Sequence, residues 1–449
     1  MMKKSFIPKI VSSIFLCGLL TSCATVTNSS AVKKEQNIEM REDPIVEKVI
    51  NLSYPVKGEE TNILKPSVLA YMKAMYEQAK DIPNDYLLHD FYITGEDGAN
   101  YGKVYENETD KVRVADYYNP SFNEGRSKKV TLVFESEGLA ENATFRVKYG
   151  LQPDLSDAKE IETTDTYVTV ENLLSDRTYY WQVISGDTAS SIESFHTSEG
   201  FRMATANGIA NIRDMGGRKV SGNKHIKQGL IFRGGEMVSE TYTVDGSTHY
   251  GNLNEDNMRV MRDELQIKYE IDFRGDDESN NLVHSPLYDD TDYSDIDYYR
   301  IPNMAAYDYL IKKSALNSDW LGVKQMFLAF KNAQNKHVYF HCWGGADRTG
   351  TAGFLLGGLL GMSYTDLIID YELTSFACNY RPHNINDGKK VYRFPSMIWA
   401  IKNAKNTQTG DYYYSADKPI SQIIEEMLID RAGLTAQDIA DIRANLLED

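Results

Sequence analysis

His341-Cys342-Trp343-Gly344-Gly345-Ala346-Asp347-Arg348-Thr349-Gly350 is the stretch whose reading decides the fold. Val338-Tyr339-Phe340 before it has the apolar, aromatic character of a buried strand, and residues 350–360 after it read as an apolar helix. A strand, a tight loop and a helix start bring backbone N–H groups and a positive helix end to one point, which makes an anion site. Five residues separate Cys342 from Arg348, Gly344 and Gly345 among them. A loop of that length closes into a cradle the size of a phosphate group, with a thiol at its base and a guanidinium at its rim.

Working outward, the chain of 449 residues is too long for one ordinary domain. From 199 to 449 strand-like and helix-like segments alternate, which indicates an α/β domain. Residues 229–232 and 268–273 read as strands, 254–265 and 323–333 as helices, and the stretch after 350 as mainly helical. Between 109 and 198 the apolar period drops to two, in Val130-Thr-Leu-Val-Phe134, Thr144-Phe-Arg-Val-Lys-Tyr149, Tyr167-Val-Thr-Val170, Tyr179-Tyr-Trp-Gln-Val183 and Glu193-Ser-Phe-His196. Leu174, Thr178 and Tyr180 have the spacing found around a tyrosine corner, and this all-β region resembles a fibronectin type III sandwich. Its expected role is that of a spacer rather than an adhesin. Within 43–108, which is otherwise unassigned, residues 63–82 have helical spacing, with Leu69, Met72, Met75 and Tyr76 along one stripe.

The start of the chain is a separate object. Lys3, Lys4 and Lys9 precede an apolar run over 10–20 that is too short to span a bilayer. The run ends in Leu20-Thr21-Ser22-Cys23, which resembles a bacterial lipoprotein cleavage box. The resemblance implies a signal peptide over 1–22, a lipidated Cys23, and an extracytoplasmic protein held at the bacterial cell membrane; an ordinary secretory signal is the alternative. Residues 23–42 are polar and aperiodic, a tether reaching about 25 Å by random-coil scaling. The net charge is −17, and removing the three lysines of 1–22 makes it −20. Such a charge repels nucleic acid and anionic lipid headgroups. Of the four cysteines, loss of Cys17 and acylation of Cys23 leave Cys342 and Cys378. A disulfide between these two would silence the thiol of the loop, so Cys378 reads as a free structural thiol.

The decapeptide resembles the signature loop of a bacterial tyrosine-phosphatase family, His-Cys-x-x-Gly-Lys-Asp-Arg-Thr-Gly. Four further matches follow the family's order: Asn211-Ile-Arg-Asp-Met-Gly-Gly217, Gly229-Leu-Ile-Phe-Arg-Gly-Gly235, Ile271-Asp-Phe-Arg274 with Glu278, and Asp370-Tyr-Glu-Leu-Thr-Ser375. The resemblance implies an α/β cysteine-phosphatase domain over 199–449. Cys342 is then the nucleophile, its thiolate stabilised by loop amides and the helix dipole. Arg348 grips the phosphoryl group with a planar fork, and the backbone of Trp343, Gly344, Gly345, Ala346, Asp347 and Arg348 cradles its oxygens. His341 orders the loop from behind, and Thr349 hydrogen-bonds the sulfur. Arg213, Asp214, Arg233 and Arg274 are expected to hold loops through arginine–carboxylate pairs. Neither a cofactor nor a metal is expected. The acidic run 289–297, with five aspartates, lacks the spacing and central glycine of a calcium loop.

The proton donor is less directly readable. Related phosphatases carry it on a Trp-Pro-Asp loop, whose nearest counterpart is Ile301-Pro302-Asn303, where asparagine has no acidic proton. Asp347 inside the cradle is the leading candidate, with Asp308 and Asp272 in reserve. The family's lysine before the aspartate is Ala346 here, which tilts the expected substrate toward phosphotyrosine protein and away from phosphoinositides or other small phosphomonoesters. A third alternative is a surface binding protein that uses the cradle only to recognise phosphate. A protein partner for the fibronectin-like region stays open. Trp343 either walls the pocket or packs under the loop.

Overall fold

The computed structural model describes residues 47–80, 114–117, 124–244, 246–302, 304–307, 310–311, 317–333, 336–377, 393–415 and 417–449. Residues 1–22 and 23–42, read from sequence as a signal peptide and a tether, lie outside the described residues, as do Asn303, Asp308 and Cys378. Among the described residues no helix is long and apolar enough to cross a membrane.

Two sheets face each other in the N-terminal half. One runs Val49–Tyr54, Val130–Glu137, Tyr167–Val170; the other runs Glu60–Thr61, Glu193–Thr197, Thr178–Ser185, Phe145–Gly150, Lys159–Thr163. Their inner faces meet in a core that includes Leu132, Phe134, Phe145, Val147, Trp181, Val183 and Phe195. Alternation along Thr178–Ser185 turns Tyr179, Trp181 and Val183 inward and Tyr180 outward. The residue that closes the corner is therefore Tyr179 and not Tyr180: the Leu174 amide donates to its hydroxyl at 2.9 Å. Two strands carry no clear sequence signal. Lys159–Thr163 is an edge strand without a fully buried side chain, and Val49–Tyr54 buries only Ile50. The latter lies in the segment left unassigned by sequence, so the sandwich begins well before residue 109.

The same segment also serves the C-terminal half. Helix Pro66–Ala79 starts with proline in its first turn, where a missing N–H costs nothing. Val68, Tyr71, Met72 and Met75 form its buried stripe, and they join the core of the α/β domain rather than that of the sandwich. At roughly 1.5–3 kcal/mol per buried side chain this is a substantial attachment. The stripe is rotated from the expected one: Leu69 is partly buried, while Tyr76 reaches the surface and donates to Asp366 at 2.7 Å. The sandwich is pinned to the α/β domain as well. Asn172 accepts from the Thr205 amide at 2.7 Å and donates to the Thr205 carbonyl at 3.1 Å, and Arg202 donates to the carbonyls of Asn172 and Leu173.

The α/β domain is built on a six-stranded sheet ordered Arg202–Met203, Arg213–Asp214, Ile231–Gly234, His337–His341, Ile267–Asp272, Asp297–Arg300. The last four strands are mutually parallel, so their carboxyl ends open on one edge. His337–His341 lies between Ile231–Gly234 and Ile267–Asp272, and Arg348–Leu360 follows it as a helix whose residues are buried throughout from Thr349. A central strand and a central helix are the most immobile elements available to carry a reactive loop.

Candidate active site

The loop leaves the sheet at Cys342, which is 3% exposed, and ends where the helix begins at Arg348. Gly345 makes the turn possible. Its φ is +66°, and a Cβ there would sit 2.4 Å from the Gly234 carbonyl oxygen. The Gly345 carbonyl accepts from Asn211 and from Arg233, each at 3.0 Å, while the Trp343 carbonyl accepts from the Glu236 amide at 2.9 Å. Carbonyl and N–H point opposite ways across a peptide, so drawing these carbonyls outward turns the amides of Gly344 and Ala346 toward the cradle.

Beneath the loop lies an ionic base. Asp370 accepts from Arg213 Nε at 2.9 Å and pairs with Arg233 at 2.5 Å. Burial alone would favour its neutral form, but Arg213, Arg233 and Arg218 hold its carboxyl far below the ordinary range. Burial, with Arg233 alongside, pulls Arg213 down to about 10. Gly353 is required here, because a Cβ would lie 2.5 Å from the Arg233 guanidinium. Asp214 pairs with Arg202 at 2.9 Å, and Arg274 with Asp272 at 2.8 Å and Glu236 at 3.1 Å. These arginines and carboxylates support loops, as their sequence pattern suggests.

Arg348 is aimed by Glu278 in a bidentate pair of 2.6 and 3.0 Å, and Nη1 also donates to the Phe273 carbonyl at 2.9 Å. Burial opposes the Glu278 charge, yet hydrogen bonds from Arg348 and the Gly275 amide keep its carboxyl below the usual value. The fork is thereby held in one orientation before any substrate arrives, which removes ordering entropy from binding.

His341 sits fully buried behind Cys342. Its Nε2 is 2.8 Å from Glu270 Oε1 and its Nδ1 3.3 Å from the Cys342 carbonyl oxygen. Burial disfavours the imidazolium, but Asp272 and Glu270 outweigh this and raise its pKa. Glu270, Asp272 and His341 lie close enough to hold a cation. Their oxygens are already engaged: Asp272 by Arg274 and by Tyr298 at 2.8 Å, Glu270 by His341 and Ser285. The trio is a buttress for the loop. Although burial pushes it up, His341 and Arg274 pull Asp272 down to about 2, so it holds no proton to give and leaves the reserve list of acids.

Asp347 lies at the start of the helix without capping it, and its Oδ1 accepts from the Tyr307 hydroxyl at 2.8 Å. Thr349 does not meet its expectation. Its side chain is buried and its hydroxyl has no hydrogen-bond partner, so the bond to the sulfur is not formed.

The cleft above the loop encloses about 450 Å³ and is lined by Glu236, Tyr250, Asn252, Cys342, Trp343, Asp347 and Arg348, among others. Trp343 walls it: the side chain is 41% exposed and stacks on His249 at 4.7 Å, which stacks in turn on Tyr242 at 4.8 Å. Tyr250 is 71% exposed on the same cleft. The acidic run 289–297 is a surface feature, in which Asp295 pairs with Lys268 at 2.7 Å and Asp289 accepts from the Thr291 amide.

Sequence reasoning missed Glu270, Glu236, His249, Tyr250 and Tyr307. Glu270 carried a usable signal, a charge inside the apolar strand Ile267–Asp272, which calls for a buried partner. The others come from loops and a hairpin whose approach to the cleft has no periodic trace. Residues 204–448, more than half of the chain, match the model of the tyrosine phosphatase family. No match is found among curated proteins.

Proposed function

Because the chain belongs to the tyrosine phosphatase family, we propose that it hydrolyses phosphotyrosine through a phosphocysteine formed on Cys342. One observation carries the reading: the Cys342 thiol lies at the base of a cradle whose rim is an Arg348 fork already oriented by Glu278. The thiolate attacks phosphorus as the bond to the leaving oxygen breaks, and Asp347 protonates that oxygen. Water then attacks the phosphocysteine, the sulfur–phosphorus bond breaks, and Asp347 takes the proton from water. Splitting the reaction this way replaces one difficult displacement by two easier ones.

The walls favour an aryl ester. Among the described residues that line the cleft, Arg348 is the only lysine or arginine, whereas Glu236 and Asp347 are acidic and Trp343 and Tyr250 are exposed aromatics. A headgroup with several phosphates needs several cations, while a phenol ring between aromatic faces gains about 0.5–1.5 kcal/mol beyond its burial.

The test is a panel of phosphotyrosyl peptides, phosphoinositides and an activated aryl phosphate, assayed with chelator on the wild type and on Asp347→Asn. The peptide is expected to turn over fastest, and Asp347→Asn to slow it about 10²- to 10⁴-fold while sparing the activated ester. Preference for phosphoinositides would refute the aryl assignment; equal losses on both esters would remove Asp347 as the acid.

The same proposal places the enzyme outside the cytoplasm, tethered through lipid on Cys23, with the sandwich as a fibronectin type III-like module. Support comes from the cleavage-box pattern, the strand order and the Tyr179 corner. Labelled palmitate is expected in the wild type and absent from Cys23→Ala; equal labelling of both would refute the anchor.

A further inference from the structure

The aromatic wall of the cleft is braced by a hairpin from elsewhere in the chain. Strands Tyr242–Val244 and Ser247–His249 pair antiparallel, with Tyr242 directly opposite His249. Cross-strand partners share a face, and the two rings lie 4.8 Å apart and only 5° from parallel. The buried imidazole of His249 also stacks on the indole of Trp343 at 4.7 Å. Asn252 closes the base of the hairpin: it accepts from the Val238 amide at 2.8 Å, and its side-chain amide donates to the Glu236 carbonyl at 2.8 Å.

The polar ends of this stack are tied down. The Tyr242 hydroxyl donates to the Glu278 carbonyl and accepts from Arg274 Nη1 at 3.2 Å. Burial pushes its phenol up to about 12, so it keeps the proton that it donates. Glu236 grips the wall twice. Its amide donates to the Trp343 carbonyl at 2.9 Å, and its Oε2 lies 2.7 Å from His249 Nδ1 while accepting from Arg274 Nη1 at 3.1 Å. An indole on a surface loop would otherwise have to be ordered by the ligand, and that entropy would be subtracted from binding. Here the ordering is complete once the protein has folded.

We propose that His249 is the positioning residue of Trp343 and, through it, a determinant of aryl selectivity: it holds the indole where the ring of an aryl phosphate lies when the phosphoryl group sits over Cys342. The inference rests on the phosphotyrosine reading and adds which residue outside the loop selects the ring. The phosphoryl group itself is held by other means, since Glu278 orients Arg348 and Asn211 and Arg233 hold the Gly345 carbonyl. Removing the imidazole leaves those contacts and the bond from the Glu236 amide to the Trp343 carbonyl in place. The loss therefore falls on the ring of the ligand and not on its phosphoryl group.

Methylphosphonate and phenylphosphonate share the phosphoryl mimic and differ in the ring, so calorimetry with the two on the full chain tests this. The wild type is expected to bind phenylphosphonate more tightly. His249→Ala is expected to lower that preference about three- to tenfold, Trp343→Ala to lower it by a similar factor, and the double variant to lose no more than either single one. With phosphotyrosyl peptide the loss in His249→Ala is expected in KM, because the ring contact is made alike in the ground and transition states. An unchanged preference in either single variant would overturn the inference. So would equal weakening of both ligands, a second full loss in the double variant, or a loss carried by kcat alone. A wild type without preference for the phenyl ligand would sink the aryl reading and this inference with it, whereas a preference that survives His249→Ala would sink the inference alone.

Discussion

Cys342→Ser is expected to lower turnover of phosphotyrosyl peptide by about 10⁴-fold or more, with the protein folded and still able to bind substrate. The exchange replaces a sulfur that ionises readily by a hydroxyl with a far higher pKa. Neither the loop amides nor the helix end supplies enough stabilisation to ionise a serine at neutral pH. The cradle survives, because the Gly345 carbonyl remains held by Asn211 and Arg233, and Arg348 remains held by Glu278. Dissociation constants measured by calorimetry are therefore expected within about tenfold of those for an uncleavable analogue on the wild type. A variant that retained substantial turnover would remove the thiolate from the chemistry.

Arg348→Lys is expected to cost about 10²- to 10³-fold in kcat, with a smaller change in KM. A lysine keeps the charge but not the fork. It can neither make both contacts to Glu278, at 2.6 and 3.0 Å, nor present two parallel N–H groups to the oxygens of a transferring phosphoryl group. The second loss falls on the transition state, in which charge spreads over the equatorial oxygens, and so appears in kcat. Comparable kinetics for lysine and arginine at 348 would mean that charge alone suffices.

The legibility of this architecture in sequence follows from where the physics is local. The decapeptide 341–350 announces strand, loop and helix because each part has its own signature: apolar β-formers, paired glycines, and an apolar run with small residues. Arg213 and Arg233 are readable as members of arginine–carboxylate pairs because charges in apolar surroundings must pair, but that Asp370 is their common partner emerges only from the fold. The edge strand Lys159–Thr163 was silent because it buries little. Sequence spacing does not separate Tyr179 from Tyr180 at the corner, because adjacent tyrosines are equivalent until the strand's facing is known. Helix Pro66–Ala79 was legible as a helix, but its destination was not, since an apolar stripe does not say which core it completes. The site shows the same division. Cys342, Arg348 and Asp347 sit in one contiguous segment, whereas Tyr307, Glu278 and the Trp343–His249–Tyr242 stack meet only through tertiary folding. The Thr349 expectation failed because a helix position next to the loop does not fix where a hydroxyl points.

Rapid-quench trapping with a ³²P-labelled phosphotyrosyl peptide, followed by mapping of the labelled fragment, reaches the centre of the account. Label is expected on the peptide that contains Cys342, appearing and decaying at rates consistent with turnover and absent from Cys342→Ser. Label found consistently on another side chain, or steady turnover with no enzyme-bound phosphate at any quench time, would contradict it.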